Sequence, residues 1–160
     1  MLKMQVENAI KNAVAIASEK YNFIFTTPKI EYGLRGAVAG RARGGDLIKL
    51  HEVFLDKYKE EYINDTVLHE LAHCLAYQFG DYMGHGAAWK SMVRAIGGIP
   101  KRYHNYDIDL VQKRTRFTCS NSGEQVILGP RQSKWQVSGK RKYNHKGCAG
   151  FALIVAYGGT

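Results

Sequence analysis

The chain has 160 residues and a mass of 18.0 kDa, with 45% hydrophobic and 23% charged residues. That suits one globular domain, or one domain with a small appendage, and its 17 Gly and 3 Pro exclude collagenous and Pro-rich low-complexity chains. The net charge is +9, and residues 101–160 hold 11 Lys+Arg against 3 Asp+Glu, so +8 of it lies in the last 60 residues. This asymmetry points to a basic module for a polyanion, nucleic acid first, attached to a near-neutral body. The longest apolar run, residues 151–157, is too short to span a bilayer. No apolar leader follows the first residues, and three widely spaced cysteines argue against a disulfide framework. The expectation is an intracellular chain, cytoplasmic or at the nucleoid or nucleus, with no membrane partner.

In chain order, Leu2, Val6, Ala9, Ile10, Ala13, Val14 and Ala17 predict an amphipathic helix over residues 2–20. After Pro28, residues 29–34, 36–43 and 46–50 predict three short strands of an antiparallel sheet, the last two joined by the turn pair Gly44-Gly45. The helical period returns from about 60 to 79, and Gly80 terminates it. A glycine-punctuated loop leads to a second helix over 87–96, stopped by Gly97 and Gly98. Beyond it the composition turns basic, with short strands predicted at 115–119, 125–128, 134–137 and 151–157.

The chemistry concentrates in His69-Glu70-Leu71-Ala72-His73. Histidines at i and i+4 of a helix share one face, so both imidazoles can bind one metal ion. Glu70 lies where its carboxylate reaches a metal-bound water, the arrangement of zinc hydrolases. Apolar neighbours Val67, Leu68, Leu71, Ala72 and Leu75 make unpaired polar groups costly there, and a metal resolves that cost. A catalytic zinc needs a third protein ligand. Ala76 and Phe79 exclude the metzincin pattern, and the only glutamate beyond residue 70 is Glu124. The leading candidate is His85 in Gly84-His85-Gly86, with His104 next. Cys74 is expected to be a buried core thiol.

Thr66-Val67-Leu68-His69-Glu70-Leu71-Ala72-His73, then Gly84-His85-Gly86 with Trp89, resembles the SprT-like metallopeptidase family, as does Arg35-Gly36-Ala37-Val38-Ala39-Gly40-Arg41-Ala42. The resemblance covers about residues 20–104. It implies an α+β fold with a zincin-like core: N-terminal helix, small antiparallel sheet, HExxH helix and following helix. It implies one catalytic zinc on His69, His73 and His85, with Glu70 the catalytic residue. The implied activity is a zinc endopeptidase cleaving proteins bound or crosslinked to DNA, as in DNA–protein crosslink repair. DNA, single-stranded by preference, and DNA-associated proteins are then the partners. The family also implies an edge strand, from residues 36–50, that captures peptide in extended form. The competing expectation is a nucleic-acid-binding regulatory protein with an intact metal site and negligible proteolysis. The oxyanion-stabilising residue stays open among Tyr62, Tyr82, Tyr103, Tyr106 and His104.

The expected division is a metallopeptidase domain over 1–104 and a basic module over 105–160. The module resembles a degenerate zinc ribbon: Cys119, His145 and Cys148 stand at knuckle positions, but Asn121 occupies a fourth. A closed structural site takes four ligands, so the favoured expectation is a ribbon held by packing without its second zinc. Cations interleaved with aromatics, namely Arg131, Lys134, Trp135, Lys140, Arg141 and Lys142, are the nucleic-acid candidates. Phe117, Trp135 and Tyr143 are alternatively the module's core.

Overall fold

The computed structural model describes residues 1–81, 84–102, 104–112 and 114–148, with the backbone of residues 154–156. The fold is mixed α and β, and the chain divides into two compact units, Met1–Tyr106 and Asp107–Thr160. No helix among the described residues is long and apolar enough to cross a membrane.

Helix α1 (Leu2–Tyr21) buries Val6, Ile10, Ala13, Val14 and Ala17, the stripe a 3.6-residue period predicts. It closes at Asn22, whose φ of 46° turns the chain left-handed. Strands β1 (Lys29–Tyr32), β2 (Gly40–Arg43) and β3 (Leu47–Leu50) follow. The sheet order is β1-β3-β2, with β2 antiparallel to β3 as the Gly44-Gly45 turn requires. The expectation of an antiparallel sheet fails at β1, which pairs parallel to β3. Burial explains this. Ile48 and Leu50 are fully buried, so β3 takes the centre, and the connection 33–39 leaves room for β3 between β1 and β2. The arginine-bearing β2 takes an edge, where charge discourages stray pairing.

Residues 60–79, expected as one helix, are divided. Helix α2 (Glu52–Tyr62) begins eight residues earlier and buries Phe54 and Leu55. Lys59, at φ 47° and ψ −112°, breaks it just before the predicted start. A π-helical turn (Ile63–Val67) then leads into α3 (Leu68–Gln78). Gly80, at φ 94°, ends the run, with Gly80 N–H donating to Tyr77 O and Asp81 N–H to Ala76 O. Helix α4 (Ala87–Ala95) buries Trp89, Met92 and Val93. Cys74 is fully buried and its thiol is pushed up to about 12 by that burial.

In the second unit β4 (Thr115–Cys119) lies between β5 (Gln125–Leu128) and β6 (Ile154–Ala156), antiparallel to both. Strand β6 falls within the expected strand 151–157, whose remaining residues lie outside the described ones. The strand expected at 134–137 is instead the end of helix α5 (Pro130–Val137). Its start signal is local: Pro130 occupies the first turn, and Gly129 N–H donates to Gln132 Oε1 at 3.2 Å. Phe117 and Leu128 form the core, with Val126 and Tyr143 packed against them. Trp135 is not part of that core.

Candidate metal centre

Helix α3 places His69 and His73 one turn apart on the face toward β2 and the loop before α4. The Nε2 atoms of His69 and His73 are 3.3 Å apart. His85, carried on the turn between α3 and α4, closes the triangle at 3.2 Å from His73 Nε2 and 3.0 Å from His69 Nε2. Gly84, at φ 60°, allows the loop to turn back.

Two nitrogens bound at tetrahedral positions around zinc stand about 3.3 Å apart, given zinc–nitrogen bonds of about 2.0–2.1 Å. The observed triangle has that size. His69 Nδ1 lies 3.1 Å from Lys101 O, which places the ring proton there and leaves the Nε2 lone pair facing the cluster. Burial holds His69 and His73 down to about 4 and lowers His85 as well, so all three rings are neutral near pH 7. Three neutral acceptor-capable nitrogens pointing at one spot fit a borderline-soft divalent cation.

Trp89 walls the cluster. Its ring stacks on His73 at 5.3 Å and meets His85 edge-on at 4.5 Å, while Nε1–H donates to His69 O at 3.3 Å. His104, the second candidate for third ligand, is not brought into the cluster. It stacks on Tyr106 at 4.4 Å.

Glu70 lies between α3 and the edge strand. Its Oε2 accepts the N–H of Ala42 at 2.7 Å. Burial raises the carboxyl to about 7, against the lowering effects of that hydrogen bond and of Arg41. A Cβ at Gly40 would stand 2.7 Å from both Glu70 Cγ and Thr66 Cγ2, so only glycine lets β2 approach this closely. Two clefts adjoin here. One of about 340 Å³ is lined by residues 37–40, Ile99 and His104; the other, of about 350 Å³, by Ala42, His73 and His85; both include Gly40, His69 and Glu70. Among the described residues β2 pairs with β3 alone.

Of the oxyanion candidates, Tyr62 is fully buried, donating to Ala39 O at 2.5 Å and accepting from His51 N–H at 2.9 Å. Tyr106 is buried with its hydroxyl 3.0 Å from Thr66 Oγ1. Tyr82 and Tyr103 lie outside the described residues. Sequence reasoning missed the carbonyl of Lys101 and the N–H of Ala42 as partners, because backbone groups leave no residue-type signal.

In the second unit the structure brings together Cys119, His145 and Cys148. The two Sγ atoms are 3.5 Å apart and Cys148 Sγ is 3.6 Å from His145 Nδ1. Ser122 beside Cys119 holds its thiol down to about 7, and His145 Nδ1 is 3.0 Å from Glu124 Oε2. Arg131, Lys134 and Trp135 lie on α5, and Lys140, Arg141 and Lys142 just beyond its end. The five cations are exposed. Trp135 is half-buried, with the Arg131 guanidinium 4.3 Å over its ring.

The fold and site therefore define an α+β protein with three histidines that could hold a metal ion, two on an HExxH helix and the third on the turn that follows it. A family model described as SprT-like matches residues 10–109. The chain is 32% identical to Protein SprT of Glaesserella parasuis over 148 residues, 91% of this chain and 94% of that protein. It is 31% identical to Protein SprT of Klebsiella pneumoniae over 159 residues, 97% and 93% of the two chains. The chain belongs to the SprT-like family. No solved structure matches it.

Proposed function

We propose that this protein is a zinc endopeptidase with a zincin-like core that cleaves proteins bound or crosslinked to DNA. The observation that carries the reading is the triangle of His69, His73 and His85 Nε2 atoms, 3.0–3.3 Å on a side, two of them on the helix that also bears a carboxylate raised to about 7. His69, His73 and His85 would hold the zinc. When bound, zinc polarises a scissile carbonyl and lowers the pKa of a coordinated water.

Glu70 takes the proton of the attacking water and returns it to the departing amine. A carboxyl near 7 suits both transfers at neutral pH. Ala42 N–H fixes the carboxylate's orientation, and Lys101 O fixes the tautomer of His69. The edge of β2 captures an extended peptide by strand addition. The two adjoining clefts leave room for chain on either side of Glu70, which favours internal cleavage over trimming of ends. The exposed cations of α5 and its following turn recruit DNA by phosphate contact, single strands by preference.

The test is cleavage of a DNA-bound protein by zinc-loaded wild type, with and without single-stranded DNA, beside Glu70→Gln. The expected result is DNA-stimulated cleavage by the wild type and at least about a 100-fold loss in Glu70→Gln, with zinc retained. DNA binding with stoichiometric zinc but no cleavage under either condition would support a regulatory nucleic-acid-binding protein instead.

A further inference from the structure

We propose that His104 is the hydrogen-bond donor that stabilises the oxyanion at the scissile carbonyl, acting through Nε2–H. The assignment rests on the peptidase reading above. Hydrolysis needs such a donor: as the water oxygen bonds to the carbonyl carbon, the C=O π pair moves onto oxygen, while the water proton passes to Glu70. Collapse of the tetrahedral species breaks the C–N bond, and Glu70 protonates the amine. A fixed donor aimed at that oxygen lowers both barriers without itself transferring a proton.

Tyr62 and Tyr106 have committed their hydroxyls inside the core, as described above. His104 instead lines the cleft that also holds His69 and Glu70. Its Nδ1 accepts the N–H of Tyr106 at 3.3 Å, so in the neutral ring the proton resides on Nε2. Burial lowers the pKa of His104 and keeps the ring neutral near pH 7.

The ring is also held in place. It stacks on Tyr106 at 4.4 Å and 20°, and the Phe54 ring lies 5.9 Å away. Tyr106 is anchored by Thr66, one helical turn before Glu70. The donor and the base are thus positioned from one stretch of backbone, which is the preorganisation an oxyanion site requires. The two cations at this cleft, Lys101 and Arg102, are both exposed, and the Lys101 Nζ lies 4.0 Å from Asp65, so neither is packed in place as His104 is.

The experiment compares zinc-loaded wild type, His104→Ala and His104→Gln. Calorimetry measures binding of a peptide phosphinate, whose anionic oxygens mimic the oxyanion. Binding of the matching uncleaved peptide is measured in the Glu70→Gln background. His104→Ala should bind the phosphinate about 100-fold more weakly and bind the uncleaved peptide within about twofold of its parent. The kcat should fall about 100- to 1,000-fold with KM nearly unchanged. His104→Gln, which keeps an N–H donor, should recover part of both losses. Zinc content and thermal midpoint check that each variant is folded and loaded. Wild-type phosphinate affinity and kcat in folded His104→Ala would overturn this assignment alone. A zinc-loaded wild type that neither binds the phosphinate nor cleaves would overturn the peptidase reading, and this assignment with it.

Discussion

The main-chain N–H of Ala42 donates to Glu70 Oε2 at 2.7 Å, tying the edge strand to the helix that bears both histidines. Strand and base therefore share one position. Whatever moves β2 away from α3 also moves the carboxylate.

Gly40→Ala tests that coupling. The new Cβ would fall 2.7 Å from Glu70 Cγ and Thr66 Cγ2, so the two elements must separate. Overpacking of this kind costs about 1–3 kcal/mol. The thermal midpoint should fall, and kcat should drop at least about tenfold while zinc content stays at wild-type level, since sub-ångström placement governs proton transfer. An unchanged kcat would show that the close approach at Gly40 is irrelevant to Glu70.

Metal stoichiometry separates the three-histidine cluster from the cluster of Cys119, His145 and Cys148. One tightly bound zinc per chain is expected, lost in His85→Ala and retained in Cys119→Ser. Cys119, His145 and Cys148 offer three ligands where closed structural sites take four. Atomic absorption after dialysis against a weak chelator measures it. A second equivalent that disappears in Cys119→Ser would show that the tail cluster holds metal.

The metal-stripped protein should be acid-sensitive in a defined window. Burial keeps His69 and His73 unprotonated down to about pH 4, whereas unfolded histidines titrate near 6.5. Between about pH 4.5 and 6.5 each of these histidines gives the unfolded chain one more proton, whereas Glu70, raised to about 7, gives the folded chain one, so the two histidines outweigh it and stability rises with pH. Urea midpoints of the apo-protein should fall as pH drops from 6.5 toward 4. His69→Ala should flatten part of that slope. A midpoint independent of pH across the window would contradict the buried neutral rings.

Nucleic-acid binding should weaken steeply with salt, because each phosphate contact releases counterions. If Lys140, Arg141 and Lys142 each touch a phosphate, replacing all three with Gln should reduce the magnitude of the log–log salt slope by about 2 on single strands. Anisotropy of a labelled oligonucleotide at several salt concentrations gives the slopes. Identical slopes would remove these three residues from the interface.

Local pattern in the sequence was enough for the features that depend on neighbours a few residues away. The i,i+4 pair His69 and His73 and the stripe Val6, Ile10, Ala13, Val14 and Ala17 follow from helical period alone. The glycines around His85 mark a loop able to turn back, although only the fold shows its Nε2 completing the triangle. Tertiary structure decided what distant segments compete for. Strand β3 lies between β1 and β2 because Ile48 and Leu50 need cover on both sides, and nothing in residues 29–34 signals a parallel pairing. Residues 134–137 read as a strand from their alternation, yet the start signal at Gly129 and Pro130 wins and makes them helix. The tyrosines near the site could not be ranked by residue type: packing engages Tyr62 and Tyr106 in the core and leaves His104 at the cleft. Period and capping are encoded within one turn of chain, whereas partner choice is set by which apolar surfaces and unpaired polar groups remain once the chain is compact.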